Sequence, residues 1–249
     1  MGKHRLRELA ALVLLLLGLL IFCYPMARSH AVHRRVQQTV SDFVADRNAE
    51  PQEPVGISPK NEPFSTKEHT ALWKEMQAYN HRIRREKQEG LSNRSAYERP
   101  SFRLQDYGLP DEVFGVLTIP KMEVEFPIYL GATDRHLTDG VAHLSQTSLP
   151  IGGADTHAVI AGHRGWRGAP YLQDILVLER GDEVIVQNLW QTLRYTVAET
   201  EIIEPNEIDA IRIQEGRELL TLLTCHPYGT GGRQRYLVIC ERQIEEETG

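Results

Sequence analysis

The sequence between residues 113 and 240 alternates between short apolar segments and turn residues, and this pattern constrains the fold more than any other feature. Glycine, proline and aspartate separate the segments, as is typical of tight turns. Seven or eight short strands of this kind predict a closed or nearly closed β-barrel, or a sandwich. The seven strand-like segments are Val113–Ile119, Val124–Tyr129, His157–Ala161, Glu183–Val186, Leu193–Val197, Leu219–Thr224 and Tyr236–Cys240.

The N-terminal part of the chain has a different character. Leu9 to Cys23 is a continuous apolar run that follows three basic residues. At about 1.5 Å per residue the run is slightly short of the ~20 residues that usually cross a bilayer, and Tyr24 and its neighbours extend it. The basic front end predicts a cytoplasmic N-terminus and an exported remainder. A cleaved signal peptide is the alternative, but Ser29-His30-Ala31 is only a loose cleavage site, so a retained anchor is favoured.

Between this run and the β-rich region the sequence predicts two helices and a linker. Residues 31–46 are polar with spaced apolar positions, which suits a short helix, and three prolines mark residues 48–62 as a linker. Ser65-Thr-Lys-Glu68 resembles a capping box. Apolar residues follow at helical spacing from Leu72 to Ile83, so this second helix is expected to end near Gly90.

Charge is distributed unevenly and excludes one class of partner. Residues 101–249 carry 12 Lys and Arg against 23 Asp and Glu, whereas residues 28–100 carry 13 against 10. An acidic second half argues against nucleic acid as a partner. It would attract an amine-bearing acceptor, although ordinary solubility charge explains it equally well.

The chain has three cysteines, and Cys225 stands at the end of an apolar strand-like segment. A thiol, the imidazole of His163 and the guanidinium of Arg235 together provide the groups for acyl transfer. Cys23 belongs to the apolar run. If Arg235 lies beside Cys225, then Cys240 is five residues further along the strand and too distant to form a disulfide, so it is interpreted as a small buried hydrophobe.

The segment Thr221-Leu-Leu-Thr-Cys225 resembles the TLxTC signature of sortases, the cysteine transpeptidases of Gram-positive cell surfaces. The resemblance covers about residues 90–243 and extends to class C, the pilus-building sortases. It implies an eight-stranded sortase β-barrel. Together with the patterns above, the resemblance predicts a fold that is mainly β, a barrel with short helices that is preceded by an N-terminal helical arm and a transmembrane helix. It also implies cleavage of an LPXTG-type signal between Thr and Gly through a thioacyl-enzyme. The other matching segments are residues 119–122, 127–131, 140–144, 147–153, 156–165 and 225–229.

The resemblance also implies roles for individual residues. Cys225 would be the nucleophile, His163 the proton carrier, and Arg235 the group that holds the substrate carbonyl or oxyanion. The family usually places its arginine about nine residues after the cysteine, whereas this chain has Arg233 and Arg235 on either side of that position. Arg235 is chosen because Tyr236-Leu-Val matches the strand that follows the family's arginine, and Arg233 remains the alternative.

Class C enzymes commonly carry a lid anchored by an Asp-Pro-aromatic tripeptide, which aligns here with Asn93, Arg94 and Ser95. Ser95 has no ring to cover a thiol, and Arg94 lacks the rigidity of proline. The cleft is therefore expected to be more accessible than in relatives with an anchored lid. Many class C enzymes also have a C-terminal membrane helix, which the given sequence lacks; a truncated chain is the alternative to a single N-terminal tether.

The predicted organisation has six parts. Residues 1–8 form a basic cytoplasmic region, 9–26 the transmembrane anchor or signal peptide, 27–89 an extracytoplasmic arm and linker, 90–108 a lid-like segment, 109–243 the catalytic barrel and 244–249 an acidic tail. The expected partners are LPXTG-bearing surface proteins or pilin subunits, with a pilin lysine as acceptor, and the membrane. A cell-wall precursor amine as acceptor, a cysteine hydrolase and a non-enzymatic scaffold of the same fold are the alternatives.

Four other polar residues receive less specific interpretations. His143 and His157 are expected to be structural and satisfied by backbone groups, Arg164 to be a surface or packing residue, and His226 to have a loop role. The adjacent pair Cys225 and His226 is not a zinc site by itself, and no metal-ligand spacing or cofactor motif is found.

Overall fold

The computed structural model describes residues 3–49, 67–93, 97–109, 112–166, 169–230 and 232–243. Eight strands form a closed barrel in the order β1-β2-β3-β4-β9-β10-β8-β7, and β5 and β6 form a separate two-stranded sheet. The predicted eight-stranded barrel is therefore confirmed. The strands are β1 Val113–Ile119, β2 Val124–Leu130, β3 Val141–His143, β4 Thr156–Ala161, β5 Arg164–Trp166, β6 Ala169–Tyr171, β7 Glu183–Asn188, β8 Thr192–Ile203, β9 Glu218–His226 and β10 Gln234–Arg242.

All seven predicted strands are present, and the eighth barrel strand is β3, which the sequence pattern did not indicate. Its three residues are too few to show an alternation of apolar and polar side chains. The strand forms because its neighbours pair with it, β2 in parallel and β4 in antiparallel orientation. Strand β8 is longer than predicted and continues from Val197 to Ile203 along β10.

The barrel has apolar packing on both its inner and outer sides. Inside, a large cluster joins side chains of the strands, including the fully buried Phe114, Leu117 and Ile160. A second cluster contains Leu144, Val159, Leu219, Leu237 and Ile239 together with Leu91, Ile203 and Ile211. The second cluster brings residues before β1 and between β8 and β9 against the barrel, so these segments are part of the fold.

Helix α1 runs without interruption from Lys3 to Ala49, through Pro25, instead of ending before a separate short helix. Its C-terminal half contacts β1, β2 and β6, and Val36 and Val40 are buried there. The apolar residues of the N-terminal half are exposed. By length and composition α1 could cross a membrane, although N-terminal signal sequences have the same properties.

Helix α2 spans Lys67–Arg85, and Asn80 ties it to the barrel. The amide of Asn80 donates to the carbonyl of Leu149 at 3.2 Å, and its oxygen accepts from the N–H of the same residue at 2.8 Å. The predicted end near Gly90 is wrong, because Lys87 and Gln88 adopt positive φ and close a Schellman-type cap directly after Arg85. Ser65 and Thr66 of the predicted capping box lie outside the described residues. A third, short helix, α3, spans Asp134–Asp139.

Candidate active site

Three adjacent strands, β4, β9 and β10, bring the predicted site residues to one end of the barrel. Cys225 on β9 is directly opposite Arg235 on β10. Strand β4 runs parallel to β9 with Ala161 opposite Leu223. His163 lies two residues beyond Ala161, as Cys225 lies two beyond Leu223, so the same register places His163 level with Cys225. The structure thus pairs Cys225 with Arg235, and the extended register places the backbone of His163 beside that of Cys225.

Gly232, in the loop between β9 and β10, lies against both Cys225 and Arg235. A Cβ atom built on this glycine would be 2.9 Å from Cys225 Sγ and 3.1 Å from Arg235 Nη1. The sulfur and that nitrogen are therefore no more than about 6 Å apart. Nη1 also donates to the carbonyl oxygens of Gly232 at 2.7 Å and Gln234 at 3.0 Å. These bonds orient the guanidinium beside the half-buried thiol.

Arg233 occupies a different position. It precedes β10 and is exposed, whereas Arg235 is half-buried within the strand. Directly opposed residues of an antiparallel pair have side chains on the same face of the sheet. Of the two arginines, Arg235 therefore has the position from which a guanidinium reaches the same reacting group as Cys225.

His163 follows the end of β4 and is half-buried. Its carbonyl accepts from the N–H of Leu172 at 3.0 Å, and its ring meets the Tyr171 ring edge-on at 6.0 Å between centroids. Burial lowers the pKa of His163, and the negative charge of Asp134 opposes that shift. A lowered pKa favours the neutral imidazole at neutral pH, which is the form that accepts a proton from a thiol.

Two residues lie next to the site, and one of them, His226, differs from its predicted loop role. Arg164 is 9% exposed, which agrees with packing and not with the surface as its predicted role. Its Nη1 is 2.7 Å from Nδ1 of His226, and its Nε donates to the carbonyl of Gln173 at 3.4 Å. His226 is the last residue of β9 and does not belong to the following loop. No sequence pattern signals this contact, because the two residues are 62 positions apart.

The structural roles predicted for two histidines agree with their contacts. His143 is fully buried with Nε2 3.0 Å from the carbonyl of Ser148, although its Nδ1 has no partner among the described residues. His157 is held by the carbonyl of Arg212 at 2.8 Å and the hydroxyl of Thr221 at 2.7 Å. Burial lowers the pKa of both imidazoles to about 4.

The lid-like segment is partly described and docks on the barrel. The N–H of Ala132 donates to the carbonyl of Tyr97 at 2.9 Å, and the Ser145 hydroxyl donates to the carbonyl of Arg99 at 2.5 Å. Asn93 ends a 3₁₀ turn and is exposed, and Arg94 and Ser95 lie outside the described residues. The accessible cleft therefore stays a prediction.

Two further observations concern possible metal ligands and the thiol of Cys240. In the part of the chain that the structure describes, no cluster of three His, Cys, Asp or Glu residues is placed to hold a metal ion. Cys240 is fully buried at the register position opposite Leu220, five positions along β10 from Arg235. Burial raises the pKa of its thiol, which agrees with the predicted role as a core residue.

Comparison with known proteins identifies the family. The model described as "Sortase domain" matches residues 117–243, which is half of the chain. Sortase D of Bacillus subtilis (strain 168) is 28% identical over 130 residues, covering 51% of this chain and 63% of that protein. The chain thus spans less than two thirds of the length of this curated relative.

Solved structures of sortase C proteins resemble most of this chain. Sortase C-1 from Streptococcus pneumoniae has a TM-score of 0.68 at 28% identity, covering 83% of this chain and 98% of that one. A structure described as the pilus-related sortase C of Group B Streptococcus has a TM-score of 0.64 at 29% identity, covering 73% and 92%. These neighbours support the class C resemblance predicted from the sequence.

Proposed function

This chain belongs to the sortase family, and we propose that it is a membrane-tethered cysteine transpeptidase that cleaves an LPXTG-type signal and joins it to a pilin lysine. The observation that supports the proposal is the pairing of Cys225 with Arg235, next to the strand β4 that His163 follows. The pilin substrate is inferred from the sortase C neighbours, one of which is described as pilus-related. The membrane tether is inferred from the exposed apolar half of α1.

The first half-reaction acylates Cys225. Its sulfur attacks the carbonyl carbon of the signal's threonine while His163 takes the thiol proton. Arg235 donates hydrogen bonds to the carbonyl oxygen as it becomes an oxyanion. The bond from threonine carbon to glycine nitrogen then breaks, and His163 gives its proton to the leaving amine. A thioester between threonine and Cys225 remains.

The second half-reaction releases the product. A lysine amine of the next pilin attacks the thioester, and His163 accepts the proton that this amine loses. The sulfur leaves as the isopeptide bond forms, and the proton returns to the thiol. The acidic balance of residues 101–249 favours the approach of a cationic acceptor.

Mass spectrometry tests this proposal. The full chain in detergent micelles is mixed with an LPXTG peptide and a lysine-containing pilin fragment, with Cys225→Ala as the control. We expect an acyl adduct on Cys225 and a Thr–Lys isopeptide product, both absent in the control. An adduct resolved only by water would indicate a hydrolase, and one resolved only by a cell-wall-type amine would indicate wall anchoring. Absence of any adduct would contradict the LPXTG signal.

A further inference from the structure

Two side-chain hydrogen bonds, here called bridges, connect β9 to the segment that contains His163. The backbone ladder between β4 and β9 extends to Gly162, whose N–H donates to the carbonyl of Leu223 at 3.0 Å. Beyond this point side chains continue the contact. The Thr224 hydroxyl donates to the carbonyl of Gly162 at 2.7 Å, and Arg164 Nη1 lies 2.7 Å from Nδ1 of His226.

The two bridges bracket the catalytic candidates. Gly162 and Arg164 are the immediate neighbours of His163, while Thr224 and His226 are those of Cys225. Because alternate side chains of a strand point to opposite faces, Thr224 and His226 share the face opposite the thiol. The bridges therefore connect the two segments on the face opposite the thiol.

The chemistry of the second bridge is well defined. A guanidinium can only donate, so Nδ1 of His226 must accept, and the proton of the neutral ring is on Nε2. Arg164 is buried, and among the described residues no carboxylate lies within ion-pair distance of its guanidinium. A buried cation held only by neutral acceptors is costly for stability. Its rigid, directional donors nevertheless suit a role in holding two segments at a fixed distance.

We propose that Arg164 and His226 are positioning residues that fix the separation between the imidazole of His163 and the thiol of Cys225. The proposal rests on the proposed function. Neither residue is required to touch substrate, since each acts through its neighbour in the chain. A displacement of about 1 Å between the reacting groups can lower the reaction rate roughly a hundredfold. Bridges on both sides of the site therefore favour a high rate of transfer.

The experiment compares variants that separate the hydrogen bond from packing. The His226 ring packs near Tyr236, with centroids 5.9 Å apart. His226→Phe keeps a ring but loses the acceptor, whereas His226→Asn loses the ring but places an oxygen where Nδ1 was. Arg164→Met keeps an apolar stem and removes the donors. His81→Ala and Arg180→Met, both at exposed positions, are the matched controls.

The readouts are kcat and KM for peptide transfer and the pH profile of Cys225 alkylation by iodoacetamide. All variants are made in the full chain in detergent with Cys23→Ala, because Cys23 is an exposed thiol that would also be alkylated. We expect Arg164→Met and His226→Phe to lower kcat about ten- to a hundredfold with little change in KM. Their alkylation profiles should move towards that of His163→Ala, and His226→Asn should recover most of the activity.

Three results would overturn the proposal. In the first, Arg164→Met and His226→Phe lower only the melting temperature and keep the kcat and alkylation profile of the parent. In the second, His226→Phe is more active than His226→Asn, which would assign the effect to packing. In the third, His163→Ala itself leaves the alkylation profile unchanged. This result would contradict the proposed His163–Cys225 pair, and so it separates a failure of the proposed function from a failure of the positioning role alone. The double variant Arg164→Met/His226→Phe would support the bridge if its kcat is no lower than that of the less active single variant.

Discussion

Cys225 and Arg235 are directly opposed in the β9–β10 ladder, although the loop between their strands contains three glycines and an extra arginine. This pairing places a thiol and a guanidinium on one face of the sheet. On the other side of β9, strand β4 runs parallel to it, and His163 follows the end of β4. The strand order β4-β9-β10 is therefore the physical basis of the site.

Replacing Arg235 is expected to be far more damaging than replacing Arg233. Arg235→Ala removes a donor beside the thiol and should lower kcat for peptide transfer by about a hundred- to a thousandfold. Arg233→Ala removes an exposed side chain and should have a much smaller effect. Steady-state transfer kinetics of the two variants measure this difference, and the reverse ranking would show that the guanidinium is wrongly assigned.

Gly232→Ala should disable the site without unfolding the barrel. The new methyl carbon would lie 2.9 Å from Cys225 Sγ, so the thiol or the loop must move. Gly229→Ala is a matched control because it has the same φ of 75° in the same loop but no atom within 4 Å of the new methyl. Both variants share a backbone cost of about 1 kcal/mol. Only Gly232→Ala should lose transfer activity, about tenfold or more, and equal losses would contradict steric crowding of the thiol.

Asp134→Asn should move the titration of His163 to lower pH. The Asp134 carboxylate favours the imidazolium and raises the pKa of His163 against the effect of burial. Removing that charge leaves burial unopposed, so the pKa falls further. NMR titration of the His163 ring measures the shift directly. Asp134 is exposed, so its asparagine variant should keep the fold. A midpoint that rises or stays fixed would exclude this coupling.

Acidification should destabilise the barrel through His143 and His157. Burial lowers the pKa of each to about 4, compared with 6.5 for an unperturbed histidine. Between these values the unfolded chain binds the proton more readily, so the free energy of unfolding falls as pH drops from about 6.5 to about 4. The limiting loss is on the order of 3 kcal/mol per histidine.

Urea unfolding at pH 7 and at pH 4.5 measures this acid sensitivity. His157→Gln removes one of the two titrating groups and should show a smaller loss between the two pH values than the parent chain. An equal loss in the variant and the parent would assign the acid sensitivity to other groups, such as Glu241, whose pKa the Arg217 hydrogen bond lowers.

Local patterns predicted most of the barrel because its strands are long enough to show alternation. Strand β3 escaped prediction because three residues carry no periodicity and the strand depends on β2 and β4. The end of α2 was misplaced for a related reason. A glycine is the usual signal, whereas Lys87 and Gln88 adopt the left-handed conformation here, with the Gln88 amide oxygen accepting from the distant N–H of Ile213 at 2.7 Å.

The sequence by itself determined the chemical groups of the site and the family, because the thiol, the imidazole and the motifs around them are local in the chain. The tertiary structure decided which arginine is paired with the thiol, since Arg235 lies opposite Cys225 in the ladder whereas Arg233 precedes β10. It also decided that Gly232 lies against Cys225 and that Arg164 meets His226. These contacts join residues up to 62 positions apart, and only the pairing of β4, β9 and β10 brings them within bonding distance.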